Sequence, residues 1–176
     1  MIATTRPATA ADILAITAIY TEQVLYGTAT FELTPPDAAE MGERMDGLLA
    51  AGYPYIAAER DGRLIGYAYA GPFRARPAYR HTVEDSIYLG TDARGQGVGG
   101  LLLRVLIEEC IQLGFRQMLA VIGDSQNMAS IRVHRAAGFR DTGTFTAVGH
   151  KFGRWLDVVM MQRALGVGDS TPPERP

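Results

Sequence analysis

Several things are scarce or missing in this sequence, and each absence excludes something. Cysteine is down to one residue, Cys110, in a chain of 176. That rules out an internal disulfide framework and any cysteine-rich metal site, and no metal is expected. No run of about 18 apolar residues occurs, so nothing is long and apolar enough to span a bilayer. The opening Met1-Ile2-Ala3-Thr4-Thr5-Arg6-Pro7 lacks the apolar stretch of a secretory signal, which makes the cytoplasm the expected location. Basic excess is missing too: 17 Lys+Arg stand against 19 Asp+Glu, a net charge of −2. A nucleic-acid binder would carry a basic footprint. Neither a nucleic-acid nor a membrane partner is therefore expected.

What remains is the composition of a globular protein, 47% apolar and 20% charged, at a length that suits one domain. No internal repeat and no linker rich in Pro, Gly or Ser divides the chain. Residues 1–165 are expected to form the domain. Residues 166–176, ending Ser-Thr-Pro-Pro-Glu-Arg-Pro, offer almost nothing to bury and are expected to be a flexible tail.

Periodicity gives the order of elements. A short strand is expected at Ile2–Thr5. Thr9-x-x-Asp12 has capping-box spacing, and Ile13, Ile16, Tyr20 and Val24 follow at helical intervals to about Tyr26. After a loop ending at Pro35-Pro36, a weaker helix runs from about Asp37 to Ala51. Tyr55–Glu59 and Leu64–Ala70 read as a hairpin around Asp61-Gly62, and another strand as Thr82–Leu89. The most regular helix runs from Gly97 to Gly114. Its polar residues Arg104, Glu108 and Gln112 form one stripe, so it is expected to be covered on two sides. Met118–Ile122 suits a buried, parallel strand. A short helix at Asn127–Ala137 and strands at Phe139–Val148 and Trp155–Met161 complete the chain. Antiparallel strands followed by one β-α-β unit imply an α/β fold with a mixed, mostly antiparallel sheet.

Arg94-Gly95-Gln96-Gly97-Val98-Gly99-Gly100 lies between a strand and the helix it opens. A helix N-terminus presents unpaired N–H groups and partial positive charge, and glycines let the backbone approach a phosphate closely. A plain flexible turn is the alternative, but so dense a glycine run at a helix start favours the cradle. Gly95, Gly97 and Gly100 also satisfy G-x-G-x-x-G, with Asp124 near the position of a ribose-binding acid. Three facts weigh against a nicotinamide cofactor. Gly90–Arg94 separates the motif from its strand, about half the chain precedes it, and too little follows for a conventional second half. No Walker-type G-x-x-x-x-G-K-[S/T] is present.

Arg94-x-x-Gly97-x-Gly99 resembles the pyrophosphate loop of the GCN5-related N-acetyltransferases (GNAT family). Asn127-x-x-Ser130-Ile131-x-Val133-His134-x-x-x-Gly138-Phe139 resembles that family's later motif, in the right order after a helix and a strand. Over residues 2–165 the chain is similar to one branch of the family, the phosphinothricin and methionine sulfoximine/sulfone N-acetyltransferases. Thr30-Phe31-Glu32, Gly71–Arg76, Thr82–Tyr88 and Lys151–Asp157 carry that likeness. The resemblance implies the GNAT fold, with helices on both faces of the sheet and a central β-α-β unit for acetyl-CoA. It also implies acetylation of the α-amino group of a small amino-acid-like substrate, and a homodimer. It places Arg94 to Gly100, Asn127 and the strand Ile87-Tyr88-Leu89 on the cofactor. A splay or bulge in that strand would expose a donor for the thioester oxygen.

Acetyl transfer needs a neutral amine, so a base must take a proton from the ammonium. Glu84, at the start of an apolar strand and at the family's base position, is the candidate; burial and neighbouring Asp85 both tend to raise its pKa. A surface carboxylate paired with an arginine is its plainer alternative. His134 stands where many relatives carry a Tyr facing the thioester sulfur. It is a general acid to the thiolate, a group that fixes the cofactor, or a plain core or surface histidine. Arg74 and Arg76 suit a carboxylate together with a phosphinate or sulfone, with Phe31 and Phe73 as apolar walls. Asp85 and Ser86 complete the expected substrate set. Glu32, Lys151 and Trp155 resemble positions near the site or a subunit boundary and are given no chemical step. Phe73 replaces a usual Trp, Arg74-Ala75-Arg76 resembles the phosphinothricin version, and Thr82-Val83-Glu84 resembles the methionine-analogue version, which leaves the acceptor open. Cys110 falls on the apolar face of its helix, so direct transfer in a ternary complex is expected rather than an acetyl-cysteine. Two alternatives stand beside this reading: an acceptor that is a protein N-terminus or lysine, and a non-catalytic acetyl-CoA-binding module.

Overall fold

The computed structural model describes residues 2–173. The elements in chain order are β1 (Thr4–Pro7), α1 (Ile13–Tyr26), α2 (Ala38–Ala50), β2 (Tyr55–Arg60), β3 (Arg63–Pro72) and β4 (Thr82–Leu89). They continue with α3 (Val98–Gln112), β5 (Gln117–Gly123), α4 (Met128–Ala136), β6 (Arg140–Lys151) and β7 (Arg154–Ala164). The strands form one seven-stranded sheet in the order β1-β2-β3-β4-β5-β7-β6. Only β4 and β5 pair in parallel, and α3 is the crossover between them. The mixed, mostly antiparallel sheet read from the sequence is the one observed. The apolar strand at 118–122 is the parallel one, but it is covered on one face only: Met118, Ala120 and Ile122 are enclosed, while Leu119 is half-buried and Val121 exposed on the other.

Local chemistry sets the boundaries. The Thr9/Asp12 capping box forms, but it opens a short 3-10 turn at Ala10–Asp12 before α1 begins. Arg6 bonds the Asp12 carboxylate at 2.7 and 2.8 Å and holds its pKa down to about 2. Asp37 caps α2 by accepting from the Glu40 amide at 2.9 Å. The cores on the two sheet faces follow strand alternation: Ala57 and Tyr67 pack toward α1 and α2, while their neighbours Ile56 and Ala68 pack toward α3. The α1/α2 side is rich in tyrosine, with Tyr20, Tyr55, Tyr67 and Tyr88 in edge and stacked contacts. The α3 side is aliphatic, built around Leu102, Leu103, Leu106 and Met118.

Part of the segment expected to be a flexible tail carries contacts. Arg116 donates to Gly168 O and Pro172 O at 3.1 Å each, and Gly168 is buried. Residues 174–176 lie outside the described residues. Among those described, no helix is long and apolar enough to cross a membrane.

Leu106 sits at the centre of the aliphatic core with no exposed surface. Leu106→Ala is expected to cost about 2–5 kcal/mol, the sum of lost burial and a residual cavity. Urea denaturation checks this, and a loss below about 1 kcal/mol would contradict the packing described.

Candidate active site

The parallel ladder between β4 and β5 runs from Thr82↔Gln117 to Asp85↔Ala120. It stops there, although β4 stays paired with β3 as far as Leu89 and β5 stays paired with β7 as far as Gly123. The two central strands therefore part in mid-sheet. A cavity opens in the gap, lined by Asp85–Tyr88 from one strand and Ala120–Gly123 from the other, with Asn127, Ser130 and His134 of the α4 motif beside it. Among the described residues, the backbone of Ser86–Leu89 on the β5 side has no strand partner. It is an open row of donors and acceptors facing the gap.

The gap runs into a groove of about 410 Å³ that ends at the glycine loop. Ile87, Tyr88, Leu89, Arg94, Gly95, Gly97, Val98, Gly99, Gly100 and Asn127 all line it, as does His134. Gly95 (φ +73°) and Gly97 (φ +81°) hold left-handed conformations that favour glycine, and Gly97 is the N-cap of α3. At Gly95, Gly97 and Gly100 an added Cβ would meet nothing within 4 Å. The protein's own packing leaves that space open, at the positive end of a 15-residue helix. A pyrophosphate fits there. Gln96 does not line the groove: its side chain bridges Arg60 and Asp92 O. Arg94 is pinned by Glu22 of α1 at 3.0 Å. Asn127 spends its side-chain oxygen on the Ser130 amide as the α4 N-cap. Gln23, Ala29, Ala129, Ser130 and Val133 line the groove as well, and none was a candidate from the sequence. Ser130 and Val133 stand inside the quoted motif and were within reach of inspection; Gln23 and Ala29 carry no local signal.

Residues 16–139 match the Acetyltransferase (GNAT) family. The chain belongs to the GNAT acetyltransferase family. It is 55% identical to phosphinothricin N-acetyltransferase from Alcaligenes faecalis over 93% of this chain and 83% of that protein. It is 42% identical to L-methionine sulfoximine/L-methionine sulfone acetyltransferase from Pseudomonas paraeruginosa, over 98% of this chain and all of that one. A GNAT phosphinothricin acetyltransferase from Sinorhizobium meliloti, solved with acetyl-CoA, superposes with a TM-score of 0.97 at 53% identity, covering 99% of this chain and 95% of the other. This GNAT chain is an acyltransferase with acetyl-CoA as its cosubstrate.

The GNAT site has two faces, because successive residues of β4 point to opposite sides of the sheet. Glu84 is half-buried, and burial first and Asp85 second raise its pKa. Tyr69 on β3 lies close enough to feel its charge and bonds Ser86. Asp85, expected among the substrate residues, turns instead toward α4. Its Oδ2 lies 2.9 Å from His134 Nε2, with the two side chains 1% and 5% exposed. His134 Nδ1 is 2.8 Å from Ser130 O. A carbonyl only accepts, so Nδ1 carries a proton and one further proton is shared along Nε2···Oδ2. Burial alone would lower the His134 pKa; the bond and charge of Asp85 outweigh it and the net direction is upward.

The residues expected on the acceptor side of this GNAT chain, Phe31, Phe73, Arg74 and Arg76, lie on loops. Phe31 lies against Gly123 and Gly149, where a Cβ would collide with its ring. Glu32 accepts from Tyr20 and Arg44 at 2.9 and 2.7 Å; burial opposes its charge, but these partners keep its pKa below the ordinary range. The loop carrying Phe73, Arg74 and Arg76 leaves β3 beside Glu84, whose ladder partner is Gly71. Phe73 packs edge-on to Tyr79, and the Arg74 guanidinium sits 5.0 Å from the Phe73 ring. Both arginines are exposed, and neither lines the gap or the groove. Cys110 is fully enclosed, and burial pushes its thiol up to about 12.

Because folded His134 holds its proton more tightly than the unfolded value of 6.5, the pair's contribution to stability is complete below that pH. It fades as pH rises through the folded value. In an NMR titration His134 is expected to turn over above 6.5, and in Asp85→Asn below it, where burial acts alone. A midpoint unmoved by the substitution would contradict the pairing.

Proposed function

We propose that the protein acetylates the α-amino group of a small amino-acid-like acceptor of the phosphinothricin, methionine sulfoximine or methionine sulfone type, by direct transfer from acetyl-CoA. One observation carries the reading: a half-buried carboxylate with a raised pKa, Glu84, stands on β4 one residue before the ladder to β5 ends. The relatives named for these acceptors match nearly the whole chain.

In this mechanism the pyrophosphate rests on the glycine loop, and the acyl arm runs along the open edge of Ser86–Leu89. The acceptor approaches from the Tyr69 face. Glu84 takes a proton from the ammonium, the neutral amine attacks the thioester carbonyl, and as the C–S bond breaks the second proton lost from nitrogen neutralises the departing thiolate, giving the amide and CoA–SH. Backbone groups of the open edge stabilise the oxygen as it gains charge. His134 fixes the geometry rather than donating to sulfur, since both ring nitrogens already have protein partners. It ties α4, with Asn127 and Ser130, to β4. Arg74 and Arg76 take the acceptor's carboxylate and its second oxyanion, which their exposure beside the Glu84 end of β4 permits. Cys110 cannot form a thiolate near neutral pH, which supports a ternary complex over an acetyl-enzyme.

The reading includes a homodimer in the cytoplasm. Support for the second copy comes from the β6–β7 edge of the sheet, where Phe145, Val148 and Trp155 are 57%, 56% and 67% exposed. Ultracentrifugation giving only monomer at micromolar concentration would contradict that part.

The test is CoA release across phosphinothricin, methionine sulfoximine, methionine sulfone, ordinary amino acids and a lysine peptide. Turnover confined to the amino-acid analogues is expected. Glu84→Gln should lower kcat by about 10²–10⁴-fold while acetyl-CoA still binds. In the wild type kcat/KM should fall as pH drops through the raised Glu84 pKa. Turnover only of the peptide, or full activity in Glu84→Gln, would overturn the proposal.

A further inference from the structure

Lys151, at the end of β6, is one of the few buried charged residues, 3% exposed, and the chemistry above makes no use of it. Its ammonium donates to Gly27 O and to Thr30 O, both at 2.9 Å. Gly27 is the C-cap of α1, so the cation also sits at the negative end of that helix. The two carbonyls bracket Ala29, which lines both the gap between β4 and β5 and the glycine-loop groove. The next residue after Thr30 is Phe31, whose ring fills the space above Gly149, two positions before Lys151, and above Gly123 at the end of β5. Tyr20 and Arg44 hold only the far side of this segment, through Thr30 and Glu32.

We propose that Lys151 is a positioning residue for the acceptor. Its ammonium clamps the Gly27–Glu32 segment so that Ala29 closes the fork on one side while Phe31 walls the acceptor on the other. The proposal rests on the amino-acid acetyltransferase reading above and adds to it that the acceptor lies beside Phe31. A flexible apolar side chain of similar length would fill the same volume but leave the buried Thr30 carbonyl and the half-buried Gly27 carbonyl without this donor, and the segment would shift to rehydrate them.

The experiment compares wild type, Lys151→Met, Phe31→Ala and the double variant. Lys151→Met is expected to raise the KM for the acceptor by about 10-fold or more and to lower kcat, as small misplacements do. The Kd for acetyl-CoA should stay within about 3-fold, because the glycine loop carries the pyrophosphate. The double variant should be no worse than Phe31→Ala alone, since both act through one wall. Hydrogen exchange at the amides of residues 28–32 should accelerate in Lys151→Met. Where that variant does not fold, Lys151→Gln, which keeps an N–H donor group on a shorter, uncharged side chain, carries the test at smaller amplitude. Unchanged exchange, additive losses, or a KM that moves only in step with acetyl-CoA affinity and thermal stability would overturn the proposal. If the wild type acetylates no amino-acid acceptor, the substrate reading fails and the exchange measurement alone decides the clamp.

Discussion

The parting of β4 from β5 after Asp85 and Ala120 is the constraint on which the rest of the site depends. Each strand is fully paired on its outer side, β4 with β3 and β5 with β7, so neither can swing to follow the other. The sheet therefore carries a row of unpaired backbone groups in its interior, where such groups are costly unless something meets them. A linear ligand with its own amides is the natural complement. The α3 helix, whose glycine N-cap opens at the outer end of the same groove, presents its positive end where the anionic end of such a ligand would lie.

The fork also separates the acidic groups by environment. Glu84 and Asp85 are neighbours in sequence but lie on opposite faces of the strand. Glu84 has burial and a like charge next door, and among the described residues no cation holds it in its charged form. Asp85 has an imidazole at 2.9 Å. Glu32 has a guanidinium and a phenol. A carboxylate partly withdrawn from water without a compensating cation is the one suited to take up a proton near neutral pH. The other two serve as struts, one tying β4 to α4, the other tying the loop after α1 to α2.

Much of this was legible in the sequence. Periodicity and punctuation placed the helices and strands within a few residues, because each boundary has a local chemical cause: Asp37 before α2, Gly97 before α3, Asn127 before α4. The glycine loop was legible for the same reason, since left-handed backbone at Gly95 and Gly97 restricts the residue type. The opposite facing of Glu84 and Asp85 follows from strand alternation and could have been drawn from the pattern alone. The Asp85–His134 bond joins positions 49 apart, and the Lys151–Gly27 bond positions 124 apart. No local pattern encodes such pairings, so they had to come from the fold. The tail shows the same limit: its composition suggests nothing to bury, yet Arg116, far from it in sequence, holds Gly168 and Pro172.

The most direct test of the account is a crystal structure of the protein with acetyl-CoA bound. The account predicts the acyl arm between β4 and β5, hydrogen-bonded to the backbone of Ser86–Leu89, with the pyrophosphate on the amides around Gly95–Gly100 and the acyl carbon at the Glu84 end of the gap. An arm lying outside the fork, for example along the groove between α3 and α4 lined by Arg104 and Arg132, with the edge of β4 still open, would contradict it.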